Sequence, residues 1–357
     1  MRFQLYILRQ VLGAFGFAVA ALLFVALPGI VVSAVHKLPN VEPALLLHFL
    51  PLVLEGIAPY VLPVCFMLAV VAVYGRLAAD REWIAMQMSG LWPVKLLVPP
   101  LLVATVLAAA TFWMVSEELP RLKERQKRFL IEAAASVIEN LQPGRTSISL
   151  GDFYLKASDR DESTGTFYDA YIRMPEGKSV QGDVFASTVD IRIGESKLYG
   201  RLTDWEAFEP RSGISTGGTE IEFEVNLADS LGRETRDWSR PRYRPSTEIV
   251  RAFRSGLVKP ENRREFVYEL HRRAALAAAF FLFLGLGAPT GLLMRRGTQL
   301  GALAVAAGYG ILYYVFSVRI GWELGFNEAL PVWFGPWITT ILGLVVAFFL
   351  LKKAIRR

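Results

Sequence analysis

The chain has 357 residues, of which 53% are hydrophobic, and a formal net charge of +6. Its apolar residues gather in runs of about twenty, the length that crosses a ~30 Å hydrocarbon core, which excludes an ordinary soluble enzyme and indicates a lipid-solvated part joined to a soluble one. One cysteine, Cys65, excludes a disulfide framework and a cysteine-based metal site, and the basic excess flanks the apolar runs, where membrane orientation accounts for it better than nucleic acid does.

Taken in order, the first expected span covers residues 11–35. It is too long for a signal-peptide apolar region, and no small-residue cleavage site follows it. The second covers 50–74 and is interrupted by Pro59 and Pro63. The segment 75–90 that follows combines Arg76, Glu82, Met86 and Gly90 with Leu77, Ile84 and Met88. Helical spacing places Leu77, Ile84 and Met88 near one face and Glu82, Met86 and Gly90 along an adjacent one. A short helix ending at Gly90 is expected, suited to lie on a membrane surface or to enter a groove on a partner. The third span covers 94–116.

Residues 117–142 are charged with apolar residues interleaved and read as a helix leaving the membrane. Short β-rich segments follow, among them Val189 to Ile193, Leu198 to Leu202 and Ile221 to Val225, punctuated by turn residues. They predict an inserted all-β, jelly-roll-like domain within residues 119–268. Residues 246–271 read as the return to the membrane. Three further spans are expected at 272–293, 299–320 and 331–351. Gly285, Gly287, Pro289 and Gly291 loosen the fourth or pack it, and Gly301, Gly308 and Gly310 give the fifth a small-residue face.

The fold class is therefore membrane α-helical, six transmembrane helices in a 3+3 arrangement around the inserted domain, with boundaries at 1–118, 119–268 and 269–357. Arg2 and Arg9, Arg76, Arg81 and Lys95, Arg295 and Arg296, and Lys352, Lys353, Arg356 and Arg357 all fall on one side of six spans. The positive-inside rule puts both termini in the cytoplasm and the inserted domain outside. There is no GxxxxGK[ST] loop, GxSxG or HExxH, so neither ATP hydrolysis nor a common hydrolase chemistry is expected in the chain itself. Ionisable residues in the spans are few. Glu55 and Arg319, with Lys37 just beyond the first span, belong near the outer leaflet, either as interfacial snorkelling groups or as contacts to an anionic lipid headgroup. His36, His48 and His271 share no metal-ligand spacing.

Gly75-Arg76-Leu77 followed by Glu82, Met86 and Gly90 resembles the coupling region of the lipopolysaccharide-export permeases, the LptF/LptG family of ABC transporters. Leu62-Pro63, Glu269-Leu270-His271-Arg272, Pro289, Arg295-Arg296-Gly297 and Tyr6-Ile7-Leu8-Arg9 are similar to further family features. Some members carry a lysine in the outer part of the first span; Ile30 to Val35 has none here, and Lys37 follows. The resemblance implies a bacterial inner-membrane permease with no cofactor of its own, ATP being bound by a cytoplasmic ABC ATPase dimer. Arg76, Glu82, Met86 and Gly90 would couple to that dimer. It also implies pairing with a second permease or with itself, extraction of lipopolysaccharide or a related lipid, and delivery to a periplasmic jelly-roll bridge. Physics agrees on the need for an external energy source: each buried CH₂ contributes roughly 0.8 kcal/mol to staying in the bilayer, so baring several chains costs tens of kcal/mol. The competing readings are a non-transporting membrane scaffold whose outer domain binds a partner, and a lipid-modifying membrane enzyme, which would need convergent polar residues at one membrane depth.

Overall fold

The computed structural model describes residues 2–37, 43–122, 125, 147–150, 153–161, 164–174, 182–193, 197–209, 214–226, 241–294, 299–327 and 329–355. The sequence-predicted helix over 117–142 and the Arg295-Arg296-Gly297 turn fall largely or wholly outside them. Among the described residues, six helices are long and apolar enough to cross a membrane, and an antiparallel sheet is inserted between the third and fourth. The chain is a multi-pass membrane protein.

The helices are α1 (Arg2–Lys37), α2 (Pro43–Ala79), the short α3 (Glu82–Met88), α4 (Val98–Trp113), the short α5 (Ser246–Arg254), α6 (Arg263–Leu293), α7 (Gln299–Phe326) and α8 (Phe334–Ile355). The six long ones, all but α3 and α5, are apolar around their circumference, as lipid-solvated or fully buried helices must be. They exceed the expected spans at several ends. The fourth begins at Arg263 rather than 272, because charged residues extend the same helix beyond the apolar run. At the end of α4 one π turn, Met114–Glu118, inserts an extra residue into the helical ladder.

The chain divides into two units, one of Met1–Leu27, Leu54–Arg121 and Trp238–Arg357, the other of Pro28–Val53 and Leu122–Asp237. In the first, α6 is the most buried span. Its Phe280 packs with Phe66 and Val70 of α2 and Ala104 of α4, while its Phe283 and Leu286 pack with Met67 of α2 and Ala306 and Tyr313 of α7. Of the two readings left open for the glycines of the fourth span, close packing is the one that Gly287 and Gly291 follow. A Cβ at Gly291 would lie 2.7 Å from the Val71 carbonyl oxygen of α2, and one at Gly287 3.3 Å from that of Met67. Gly308, expected on a small packing face of the fifth span, meets nothing within 4 Å, whereas Gly321 of that helix abuts Gly335 of α8. Close backbone approach is how lipid-solvated helices gain van der Waals contact.

In the second unit the described strands form one seven-stranded antiparallel sheet: β1 (Ser147–Leu150), β2 (Phe153–Lys156), β3 (Asp159–Arg160), β4 (Phe167–Met174), β5 (Gly182–Ile193), β6 (Lys197–Glu209) and β7 (Ile214–Asn226). Their order is β1-β2-β4-β5-β6-β7, with β3 on β4. Leu155, Ile172 and Val184 are in register and buried, and Val189 pairs with Leu202 in a second buried row. Between the two rows the alternation slips. Asp169 and Asp204 adopt φ of 47° and 49°, a conformation Asp tolerates, and Tyr168 and Asp169 are both outward, so that Phe167 and Ala170 both face inward.

On β4 and β5, Arg173 Nε donates to Asp183 at 2.9 Å, Tyr171 Oη donates to the same carboxylate at 2.7 Å, and Arg173 Nη2 donates to Tyr171 Oη at 2.8 Å. The Arg173 guanidinium, and then the Tyr171 hydroxyl, hold the Asp183 carboxyl below its ordinary value. A depressed carboxyl contributes stability at neutral pH that is lost as pH falls from about 4 through the lowered value. Amide exchange at Val184 and Phe185, corrected for intrinsic rate, is expected to be better protected at neutral pH than in acid. Asp183→Asn should abolish that difference; if it persists unchanged, the clamp contributes nothing.

Candidate functional site

Helix α2 does not run on into α3. It ends at Ala79, and Arg81, at φ 60°, reverses the chain before Glu82 opens α3. The break means that residues 76–90 are two elements rather than one helix, so the expected face shared by Leu77, Ile84 and Met88 does not form. Leu77 is buried in α2, while Ile84 and Met88 are exposed, Met88 at 84%. Arg76 is exposed on the last turn of α2.

The end of α3 follows the expectation for Gly90. Gly90 has φ 85°, its N–H donates to Gln87 O at 3.0 Å, and the Leu91 N–H donates to Met86 O at 3.3 Å. This is the paired 5→2 and 6→1 pattern of a Schellman stop, with Leu91 against the cluster that holds Met86. Met86, expected to reach a partner, is buried beside Tyr74, Trp83 and Leu96. It anchors the helix instead: with Trp83 it forms the apolar side that a short amphipathic helix must bury. Tyr74 secures the same floor by donating to Leu96 O at 2.7 Å and by an edge-on contact with Trp83.

Glu82 is half-buried in the first turn of α3, where a carboxylate complements the helix dipole. The Tyr6 hydroxyl of α1 donates to its two oxygens at 3.0 and 3.3 Å. The start of the first span, whose Ile7 and Val11 belong to the same core, is thereby tied to α3.

The three expected lipid-contact residues are not brought together. Lys37 lies at the end of α1, where only the backbone is described. Glu55 is half-buried on α2. Arg319 is exposed on α7, one turn from exposed Glu323, and forms no ion pair among the described residues.

A second polar centre joins Glu269 and Arg272, noted in the sequence only as a family likeness, to Arg273, which was not noted. On α6, Glu269 accepts from Arg272 Nε at 2.8 Å and from Arg273 Nε at 2.9 Å. Arg273 is 1% exposed. Its Nη1 donates to Ser116 O and Ser246 Oγ, and its Nη2 donates to Pro241 O and Arg244 O, all between 2.7 and 3.2 Å. With the bond to Glu269, all five guanidinium N–H groups are used. The legible signal was Glu-x-x-Arg-Arg at the mouth of an apolar run, since i,i+3 and i,i+4 positions meet on a helix. The carbonyl partners 29 and 32 residues upstream, and the one just past α4, were not legible.

Over residues 5–353 the chain matches the family described as Lipopolysaccharide export system permease LptF/LptG, and it belongs to that family. No curated protein matches it.

Arg273→Met would remove a donor from three carbonyls and the Ser246 hydroxyl and leave Glu269 to Arg272 alone, and breaking a buried charged network costs about 3–5 kcal/mol. Arg272, a third exposed, should cost much less when replaced by Met. Denaturant titration of the two variants in micelles checks this; equal destabilisation would refute the ranking.

Proposed function

We propose that this member of the lipopolysaccharide export permease family is the transmembrane subunit through which a separate cytoplasmic ATPase does work on a lipid of the inner membrane. The family is one of transport permeases. What supports the finer reading is one observation: a short helix in the loop between the second and third spans, fixed on its buried side by Trp83 and Met86, exposes Ile84 and Met88 and holds Glu82 against Tyr6 of the first span. An ATPase gripping α3 would thus pull directly on the foot of α1. On this reading Arg76, exposed beside the helix, and Ile84 and Met88 are the partner-facing side chains, and Gly90 sets where the helix stops.

The flanks of the bundle support pairing with a second permease, of the same kind or a relative. Phe17, Phe24 and Val25 of α1 are 76–82% exposed, and Leu300, Ile311 and Val318 of α7 are 65–79% exposed. Such surfaces suit lipid or another chain's spans and are compatible with a gap that admits acyl chains from the side. Lipid taken there would pass to the inserted sheet, on the outer side by the positive-inside rule, and from it to a periplasmic bridge of similar sheets, with β7, an edge strand among the described residues, as a candidate for strand pairing. Lys37, Glu55 and Arg319 are the proposed contacts to the anionic headgroup during this passage.

Glu82→Ala is expected to reduce recovery of the ATPase with the purified permease. Tyr6→Phe should retain the ATPase but lower lipid release per ATP hydrolysed by roughly two- to fivefold, the worth of one partly exposed hydrogen bond to a charge. Unchanged recovery and release in both variants would sink the assignment of α3 as the coupling element.

Arg319→Glu should reduce photocrosslinking of the exported lipid to probes on α7 while leaving the melting temperature in place. If crosslinking is unaltered, Arg319 is an interfacial anchor only.

A further inference from the structure

Beside the end of α4 lies an open cavity of about 600 Å³, walled on one side by Phe112, Trp113, Ser116 and Glu117 and on the other by α5. The α5 residues that line it include Thr247, Val250, Arg251 and Arg254, an i, i+3, i+4, i+7 set that forms one helical face. The opposite side of α5 is fixed: Ile249 is fully buried and Phe253 packs edge-on against Phe266 of α6. Its first turn is fixed as well, by the Ser246 hydroxyl accepting from Arg273 and by the Thr247 N–H and Oγ donating to Glu117 at 3.1 Å. The cavity is a rigid feature of the fold rather than a gap under a loose helix.

Its chemistry is two-sided. Phe112, Trp113 and Val250 present exposed apolar surface. Arg251 and Arg254, one turn apart, are exposed and form no ion pair among the described residues. The one carboxylate in the wall, Glu117, is already engaged by Thr247 and by Arg121, which also bridges Glu118.

We infer that this cavity binds one anionic glycerophospholipid of the surrounding bilayer, its phosphate on Arg251 and Arg254 and the start of its acyl chains against Phe112, Trp113 and Val250. Free phosphate has no use for the aromatic wall and would occupy a small part of the volume. A zwitterionic headgroup would bring an ammonium toward two guanidiniums with no uncommitted carboxylate to receive it. One pair of arginines on one helical turn matches one phosphate, and guanidinium–phosphate pairing is favoured in a partly dehydrated cleft. None of its lining residues belongs to α3 or α7, and its bound lipid would be a resident of the permease rather than its cargo.

The test uses the full-length chain in nanodiscs. Native mass spectrometry would compare retention of phosphatidylglycerol and phosphatidylethanolamine by the wild type, by Arg251→Glu/Arg254→Glu and by Trp113→Ala. Phosphatidylglycerol should be retained preferentially, and about tenfold less by the double variant, the loss expected for charged hydrogen bonds worth 1.5–3 kcal/mol. Trp113→Ala should weaken it independently of charge. A photoreactive residue at Val250 should capture a glycerophospholipid. Equal retention by the double variant, equal affinity for phosphatidylethanolamine, displacement by inorganic phosphate, or capture of a lipid A-bearing molecule at Val250 would each overturn the inference. None of these readouts depends on the ATPase, so failure here is distinguishable from failure of the transport reading.

Discussion

A guanidinium with all five N–H groups satisfied inside a helical bundle is the constraint around which the membrane part of this protein is built. Arg273 could not be taken out of water singly. It is accommodated because Glu269 lies one turn before it on α6, and because the π turn at Met114–Glu118 brings the Ser116 carbonyl within reach of Nη1. A carbonyl inside a regular helix has its own N–H donor; a π turn disturbs that ladder and gives an oxygen room for a second partner. The remaining donors take Pro241 O, Arg244 O and Ser246 Oγ, which fixes the chain as it comes back from the inserted sheet. The third span, the returning segment and the fourth span therefore meet at one side chain. The cavity beside α5 exists because that helix is held there at its first turn.

The opposite end of the bundle is organised differently. There the anchor is apolar, Trp83 and Met86 over Tyr74 and Leu96, and the polar link from Tyr6 to Glu82 lies at its half-exposed margin. The difference has a physical consequence. Removing a donor from a buried charge network strands several polar atoms at once, whereas a phenol–carboxylate bond at the margin exchanges with water at little cost. One end is built to stay in place, and the other can be remade at little cost.

Much of this architecture was legible from residues alone, for reasons that can be named. Apolar runs long enough to cross a bilayer have few soluble alternatives, and Gly90 at a helix stop answers a steric demand that few other residues meet. What was not legible depended on backbone geometry. Nothing in Ala78-Ala79-Asp80-Arg81 announces that Arg81 will take a left-handed conformation and break the helix, so the periodicity carried through residue 90 put Leu77 on one face with Ile84 and Met88. In the sheet, a period-2 pattern cannot anticipate that Asp169 and Asp204 shift the alternation by one. The role of Arg273 was hidden for a third reason: three of its partners are main-chain carbonyls, which carry no sequence signature.

If the transport reading holds, the distribution of packing along α1 restricts how the work can be delivered. The described core contacts of α1 lie in its first half, through Tyr6, Ile7, Leu8, Val11, Ala14 and Phe15, while Phe17, Phe24 and Val25 are 76–82% exposed. Extracting acyl chains costs tens of kcal/mol unless apolar surface accompanies them throughout, so the moving element must keep its apolar flank against the lipid as it moves. The apolar flank from Phe17 to Val25 can shift against lipid without breaking a close-packed interface, because one lipid contact replaces another. Helix α6, whose Gly287 and Gly291 backbones touch α2, cannot do so without losing close contacts on that side. The packing therefore favours motion in α1 and leaves α6 as the fixed reference.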